Sequence, residues 1–388
     1  MTVETITLGC RLNFAEAETL ARLAPKGEDW IVVNSCAVTN EAVRQTKQAI
    51  RRAHRDRPTA KMLVTGCAAE LQPDAFRAMA GVSRVARNDR KFGAFGRIDA
   101  MTPVPAGMLA KVKSFVAVQT GCDHRCTFCS IWQARGPSRS FPFEAVRDAV
   151  AAEIDRGAKE IVLTGVDITD YDGGLGTLCQ RLLASEPRLE RLRLSSLDSI
   201  EIDGALHELI AGERRLMPHF HLSLQAGDDL ILKRMKRRHS RAQAVQVVER
   251  IKSARPDASI GADLIAGFPT ETEEMALNTL ELLKDCDIVS AHVFPFSARP
   301  GTPAARMPQV LRDSVKSRAG RLRAAASQRR SDWLRTLVDS IQPVLIEGAG
   351  IGHTDNFAPI SIGGATRGAR GMARITGLDG EKLTAAWA

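Results

Sequence analysis

The chain has 388 residues, 44% of them hydrophobic, and a formal net charge of +9. That length suits two or three domains, with ample apolar material for large cores. No run approaches the roughly 18 uninterrupted apolar residues of a membrane-spanning helix, and the first ten residues lack a signal peptide's basic and long apolar regions.

A cytoplasmic protein without membrane association is therefore expected, and its eight cysteines argue for metal or redox chemistry rather than disulfides. The positive charge is compatible with a polyanionic partner, nucleic acid first, although charge alone decides little.

Short β-branched or apolar runs at residues 5–8, 31–33 and 62–64 suit buried parallel strands, with helical stretches at 14–23 and 41–54 between them. This β-α-β-α-β order predicts right-handed connections and a sheet whose carboxyl ends share one edge, where ligands gather. Each run ends in a small or polar residue and then a cysteine: Gly9-Cys10, Ser35-Cys36 and Gly66-Cys67. One such thiol is an ordinary buried cysteine. Three at equivalent strand ends predict a metal cluster. Arg44, Lys47, Arg51 and Arg55 recur at helical spacing, as an RNA-facing stripe or a solvated face.

Residues 101–113 hold Pro103, Pro105 and Gly107 and suit a linker, dividing a domain at 1–100 from one at 114–338. Strand-like runs at 115–119, 160–164, 192–195, 219–224, 260–265 and 291–296 then alternate with amphipathic helices. Six β/α units predict a parallel, partly closed barrel. After its first strand comes Gly121-Cys-Asp-His-Arg-Cys-Thr-Phe-Cys129, a C-x3-C-x2-C run. Three thiolates, from Cys122, Cys126 and Cys129, fill three corners of a [4Fe–4S] cube and leave one iron open to a small molecule. A zinc knuckle is the alternative, but structural zinc wants four ligands, usually as two close pairs. His124 lies too close to its neighbours to complete a tetrahedron comfortably.

The loop belongs at the carboxyl end of the barrel, where catalytic loops gather. Gly165, Ser196 and Gln225 stand at other strand ends on that rim and are candidate cofactor contacts by position alone. Cys179 and Cys286 have no partner spacing and suit structural roles. Residues 233–238 carry five positive charges, as an RNA- or phosphate-binding run or a solvated one, and 312–335 carry eight Lys or Arg against two Asp. The latter suits a helix bridging to the last domain; RNA phosphates or mere solubility would account for its charge. The tail from 342 is glycine-rich, with strand-like runs at 343–346, 358–362 and 372–376.

With Phe128 before its last cysteine, the C-x3-C-x2-C loop resembles the radical S-adenosylmethionine (SAM) superfamily. The upstream trio resembles its methylthiotransferase branch, over nearly the whole chain. The strings His219-Phe-His-Leu-Ser-Leu-Gln-Ala-Gly227, Leu232-Lys-Arg-Met-Lys-Arg-Arg238 and His292-Val-Phe-Pro-Phe-Ser-Ala-Arg-Pro-Gly-Thr-Pro-Ala-Ala305 most resemble the tRNA enzymes acting on N6-threonylcarbamoyladenosine. Gly352-His-Thr-Asp-Asn-Phe357 resembles part of a TRAM domain, a small RNA-binding β-barrel, in a tail shorter than a typical copy. Its stacking platforms are mainly Phe357 and Trp387. Ser130-Ile-Trp132 departs from the family's usual Ile-Ile-Pro.

The resemblance implies an α/β fold: an N-terminal parallel-sheet domain, a central partial (β/α)6 radical SAM barrel, and a TRAM-like β-barrel at 339–388. It implies two [4Fe–4S] clusters, one on Cys122, Cys126 and Cys129 and an auxiliary one on Cys10, Cys36 and Cys67. SAM on the first is cleaved to methionine and a 5′-deoxyadenosyl radical; the auxiliary cluster supplies or holds the sulfur. A methylthio group would then reach carbon 2 of adenosine 37 in a tRNA anticodon loop, whose bases splay out readily, with electrons from a reductant such as flavodoxin or ferredoxin. Other relatives modify isopentenyl-adenosine in tRNA or an aspartate of a ribosomal protein. A non-catalytic iron–sulfur carrier or RNA-binding protein is the remaining alternative, against which stands the three-cysteine loop, since carriers saturate their irons with cysteine.

Overall fold

The computed structural model describes residues 3–95 and 112–388. The first sheet is parallel, in the order β1 (Val3–Thr7), β2 (Trp30–Ser35), β3 (Lys61–Gly66), β4 (Val82–Val85). Every residue of β2 is buried, as its unbroken apolar run requires. The helices Arg11–Leu23 and Asn40–Asp56 make the connections. The second starts where Thr39 Oγ1 accepts the Ala42 N–H at 3.0 Å. Its Arg44 pairs with Glu41 and its Lys47 donates to Gln72. Register pairs Thr7 with Asn34 and Ser35 with Gly66, so the carboxyl ends of β1, β2 and β3 lie side by side.

Most of the expected linker lies outside the described residues; Val112 is buried and Lys113 opens the next strand. The central strands are β5 (Lys113–Ala117), a small antiparallel ladder of β6 (Gln119–Thr120) with β7 (Arg139–Ser140), then β8 (Glu160–Thr164), β9 (Leu192–Leu194), β10 (Ser196–Leu197), β11 (His219–Gln225), β12 (Ser259–Ala266) and β13 (Ile288–Pro295). They form two parallel groups, β5-β8-β9 and β10-β11-β12-β13, joined by a Leu192–Leu216 bridge. The expected strand at 192–195 is thus split at Ser195. Edges β5 and β13 do not pair, so the barrel is open on one side. Phe220, Leu222 and Leu224 pack outward with Val248 and Ile251 of the helix Arg241–Ala254. Strand alternation therefore turns His219 and His221 to the concave face.

The helix Arg312–Thr336 leads to the tail. Its Arg318 bonds Glu271 (3.0 Å) and its Arg329 bonds Asp287 (2.8 Å), so part of its charge holds the barrel wall. The tail closes completely: β14 (Ile341–Ile346), β15 (Ile351–Thr354), β16 (Pro359–Ile362), β17 (Arg370–Asp379) and β18 (Lys382–Trp387) form a five-stranded barrel, despite its shortness. It seats against residues that begin the central strands. Lys113 Nζ lies 2.7 Å from Glu347, Ser259 Oγ donates to the Asn356 carbonyl at 2.5 Å, and Arg191 pairs with Asp355. Phe357 stacks on His353 (4.4 Å between centroids) and on His219 (4.8 Å). This ring, expected as an RNA platform, is occupied in that junction. Among the described residues no helix is long and apolar enough to cross a membrane.

Candidate cluster and cofactor site

Cys10, Cys36 and Cys67 meet at the carboxyl edge of the first sheet. Cys36 and Cys67 are buried and Cys10 is exposed. The glycines before Cys10 and Cys67 have positive φ, +97° at Gly9 and +92° at Gly66. A Cβ on Gly9 would sit 2.6 Å from Cys36 Sγ, and one on Gly66 would overlap Asn34 Oδ1 and the Ser35 carbonyl. Only glycine lets the three strand ends close this tightly. Asn13 braces the edge by donating to the carbonyls of Leu8 (2.8 Å) and Ser35 (3.1 Å).

Cys122, Cys126 and Cys129 occupy one loop after β6. The loop is pinned by Cys122 N–H to the Gly136 carbonyl (3.1 Å), Cys129 N–H to the Cys126 carbonyl (3.1 Å) and Thr127 N–H to the Met235 carbonyl (3.0 Å). Gly121, at φ +79°, would drive a Cβ into Pro137. Phe128 packs edge-on against Phe268. His124 faces three carboxylates, Asp167 at 3.5 Å, Glu201 at 3.4 Å and Asp198 at 3.8 Å, and its ring lies within 4.8 Å of Cys122 Sγ. The hydrogen bond to Glu201 raises its pKa. Burial, with repulsion from Glu201, pushes Asp167 up to about 6.

The donor set suits iron–sulfur clusters. All six sulfurs face an N–H donor: Cys36 from Val38 (3.4 Å), Cys129 from Ile131 (3.3 Å), Cys67 from Arg135 Nε (3.3 Å), Cys126 from Arg237 Nη1 (3.7 Å), and Cys10 and Cys122 from the backbone N–H groups of Asn13 and His124. Such donors favour anionic sulfur. Burial pushes Cys36 up to about 11 and Cys122 up to about 12, so these thiols stay protonated until a bound cation displaces the proton. No fourth thiol joins either trio, because Cys179 and Cys286 are wholly buried in the barrel core.

Two arginines connect the trios, Arg135 outside every sequence motif and Arg299 within the 292–305 string. Arg135 ends the helix Ile131–Arg135 that follows Cys129, yet its side chain enters the first domain. It bonds Glu16 (2.7 and 3.0 Å), Asn13 Oδ1 (2.6 Å) and Cys67. Lys91 Nζ completes the cluster 2.5 Å from Glu16. Burial works against the Glu16 carboxylate, but Arg135 and Lys91 overcome it and hold its pKa at about 2. Arg299 lies within electrostatic reach of Cys129 from one trio and Cys36 from the other, and its Nε is buried without a hydrogen-bond partner. The 297–299 segment is tied to the first domain through Asn40, which donates to the Ala298 carbonyl at 3.0 Å. The trios therefore face one another across the two domains.

The basic run at 233–238 does not form one patch. Lys236 adopts a left-handed conformation (φ +58°). Arg237 turns inward to Asp198 (2.8 Å) and Cys126, while Arg238 pairs with Glu201. Gly165 sits flush against Gln119, whose Oε1 accepts the N–H groups of Val166 and Asp167 at 3.1 and 2.9 Å. Ser196 is exposed on β10, and Gln225 ends β11 with φ +68°. Asp167, Asp198 and Glu201, which face His124 of the loop, have no sequence signal because isolated acids carry no motif.

Comparison with known proteins agrees with this geometry. Residues 116–283 match the Radical SAM superfamily and residues 2–86 match the uncharacterized protein family UPF0004. The threonylcarbamoyladenosine tRNA methylthiotransferase MtaB of Rickettsia prowazekii is 42% identical, over 92% of this chain and 91% of its own. The Thermotoga maritima protein of that name is 34% identical over 81% and 79%. The tRNA-2-methylthio-N(6)-dimethylallyladenosine synthase of Erythrobacter litoralis is 32% identical over 89% and 86%. In fold, the radical SAM methyltransferase TsrM of Kitasatospora setae aligns with a TM-score of 0.55 at 14% identity, over 76% of this chain and 68% of that one. A [4Fe–4S] cluster and SAM accompany the radical SAM family, and the C-x3-C-x2-C loop has the donors for that cluster. With its cysteine loop on a radical SAM barrel and close relatives along almost its full length, the chain belongs to the radical SAM methylthiotransferase family of enzymes.

Proposed function

We propose that this enzyme adds a methylthio group to carbon 2 of N6-threonylcarbamoyladenosine at position 37 of tRNA. The reading is carried by the facing cysteine trios, joined by Arg135 and Arg299, and by the name that several similar relatives share. Cys122, Cys126 and Cys129 hold the cluster that, when loaded, supplies the electron for SAM cleavage. Cys10, Cys36 and Cys67 hold a second [4Fe–4S] cluster on the sulfur side. Gly165, Ser196 and Gln225 border the SAM pocket. Arg237 fixes the loop by tying Cys126 to Asp198. The working units are 1–100, a linker at 101–113, the radical SAM domain at 114–338 and an RNA-binding barrel at 339–388. The enzyme works in the cytoplasm with a flavodoxin- or ferredoxin-like donor.

Nucleoside mass spectrometry of tRNA from a deletion strain tests the substrate. The methylthio form should vanish, its threonylcarbamoyl precursor should accumulate, and the gene should restore it. Unchanged methylthio-threonylcarbamoyladenosine refutes this substrate, and accumulation of isopentenyl-adenosine would move the activity to the other tRNA base.

A further inference from the structure

Arg11 follows Cys10 and opens the helix Arg11–Leu23. Its backbone belongs to the first domain, but its side chain reaches across the open side of the barrel. The guanidinium lies 5.9 Å from the ring centroid of Phe115 on β5. The charges acting on it are Glu160 on β8, Arg193 on β9, Asp263 on β12, and Glu347 of the C-terminal barrel. Residues on four strands, Phe115 included, thus lie around it.

Each carboxylate in reach already has partners. Glu160 accepts from Arg191 and Arg193 at 2.9 and 2.8 Å. Glu347 is paired with Lys113 and His353. Asp263 Oδ1 is 3.0 Å from His221 Nε2 and 3.1 Å from His292 Nδ1. Among the described residues, Arg11 makes neither a hydrogen bond nor an ion pair. A half-buried guanidinium without a partner is costly, and its planar fork fits a carboxylate through two parallel hydrogen bonds. The flat rings nearby suit a purine: Phe115 beside Arg11, and His292 at 4.7 Å from His221.

We propose that Arg11 receives the carboxylate of the threonylcarbamoyl group on the substrate base and so selects it over adenosines with an uncharged N6 substituent. The inference rests on the substrate assigned above. It names the residue that reads the one anionic group distinguishing this base from its isopentenyl counterpart. A neutral substituent leaves the guanidinium desolvated and unmatched, which penalises the wrong base as well as rewarding the right one.

The test is anaerobic binding of the reconstituted full-length enzyme to anticodon stem-loops carrying threonylcarbamoyladenosine, its carboxyl methyl ester, or isopentenyl-adenosine. The wild type should bind the free acid on the order of 10- to 100-fold more tightly than the ester. Arg11→Gln should bind acid and ester alike, and Arg11→Lys should restore part of the preference. Iron and sulfide content equal to wild type shows that a variant keeps its clusters. The acid–ester comparison on the unaltered enzyme stands whether or not a variant folds. Equal binding of acid and ester by an enzyme that still methylthiolates the threonylcarbamoyl stem-loop overturns the role of Arg11 and leaves the function intact, as does a preference that survives in Arg11→Gln. Absence of methylthio product from that stem-loop overturns the substrate and, with it, this role.

Discussion

Replacing Arg135 by methionine removes the cation from a buried network and leaves its partners in place. The side chain gives Glu16 two hydrogen bonds, Asn13 one and Cys67 one, and Glu16 is only 4% exposed. Removing one partner of a buried pair costs about 3–5 kcal/mol. Lys91 stays 2.5 Å from Glu16 and retains part of the compensation, which places the loss near about 3 kcal/mol. Because the chain has several cores, a global melt would blur this effect. Hydrogen exchange of the peptides covering β2 and β3 in the metal-free, reduced protein reads the first sheet by itself. Exchange there should accelerate roughly 100-fold. Arg135→Lys keeps the charge without the fork and should lose less than half as much in free energy. An acceleration below about tenfold for Arg135→Met would refute the claim that this residue anchors the radical SAM loop to the first sheet.

Three further outcomes follow from the geometry. Gly66→Ala should cost about 2 kcal/mol or more in urea unfolding, since its Cβ overlaps Asn34 and Ser35; Gly348→Ala, with open space around it, should be near neutral, and equal effects would contradict the packing argument. Burial alone would raise the Glu347 pKa, but His353 and Lys113 hold it near 2 rather than 4.5. The stability it gives the junction of the tail with the barrel is therefore present above about pH 4.5 and lost as pH falls toward about 2; tail proteolysis by an acid protease should rise across that window in the wild type and lack that step in Glu347→Gln. Cys126→Ala should abolish SAM cleavage, whereas Cys36→Ala should keep it measurable and stop sulfur insertion, so full methylthiolation by Cys36→Ala would remove the second cluster from the account.

The strand ends that carry the cysteines were legible in the sequence because buried parallel strands are unbroken β-branched runs, and a glycine or serine before a cysteine marks where each stops. Beyond the two-residue strands Arg139–Ser140 and Ser196–Leu197, three strands lack that signal. Val82–Val85 is an edge strand with Ser83 and Arg84 exposed. Ile351–Thr354 and Lys382–Trp387 belong to a barrel so small that their inward positions need few large apolar side chains. Arg135 gives no local sign because its partners come from a remote segment, Glu16 being 119 residues away; the 292–305 string contains Arg299 but not its place between Cys36 and Cys129. Charge density at 233–238 merged side chains that the left-handed turn at Lys236 separates. Phe357 has the aromatic face of an RNA platform, but only the closed tail shows it stacked on His219.

Iron and acid-labile sulfide counting on anaerobically purified protein tests the paired-trio arrangement most directly. About eight irons per chain are expected, falling to about four when either Cys10, Cys36 and Cys67 or Cys122, Cys126 and Cys129 are replaced together by alanine. A wild-type value of about four, unchanged by removing the first trio, would contradict it.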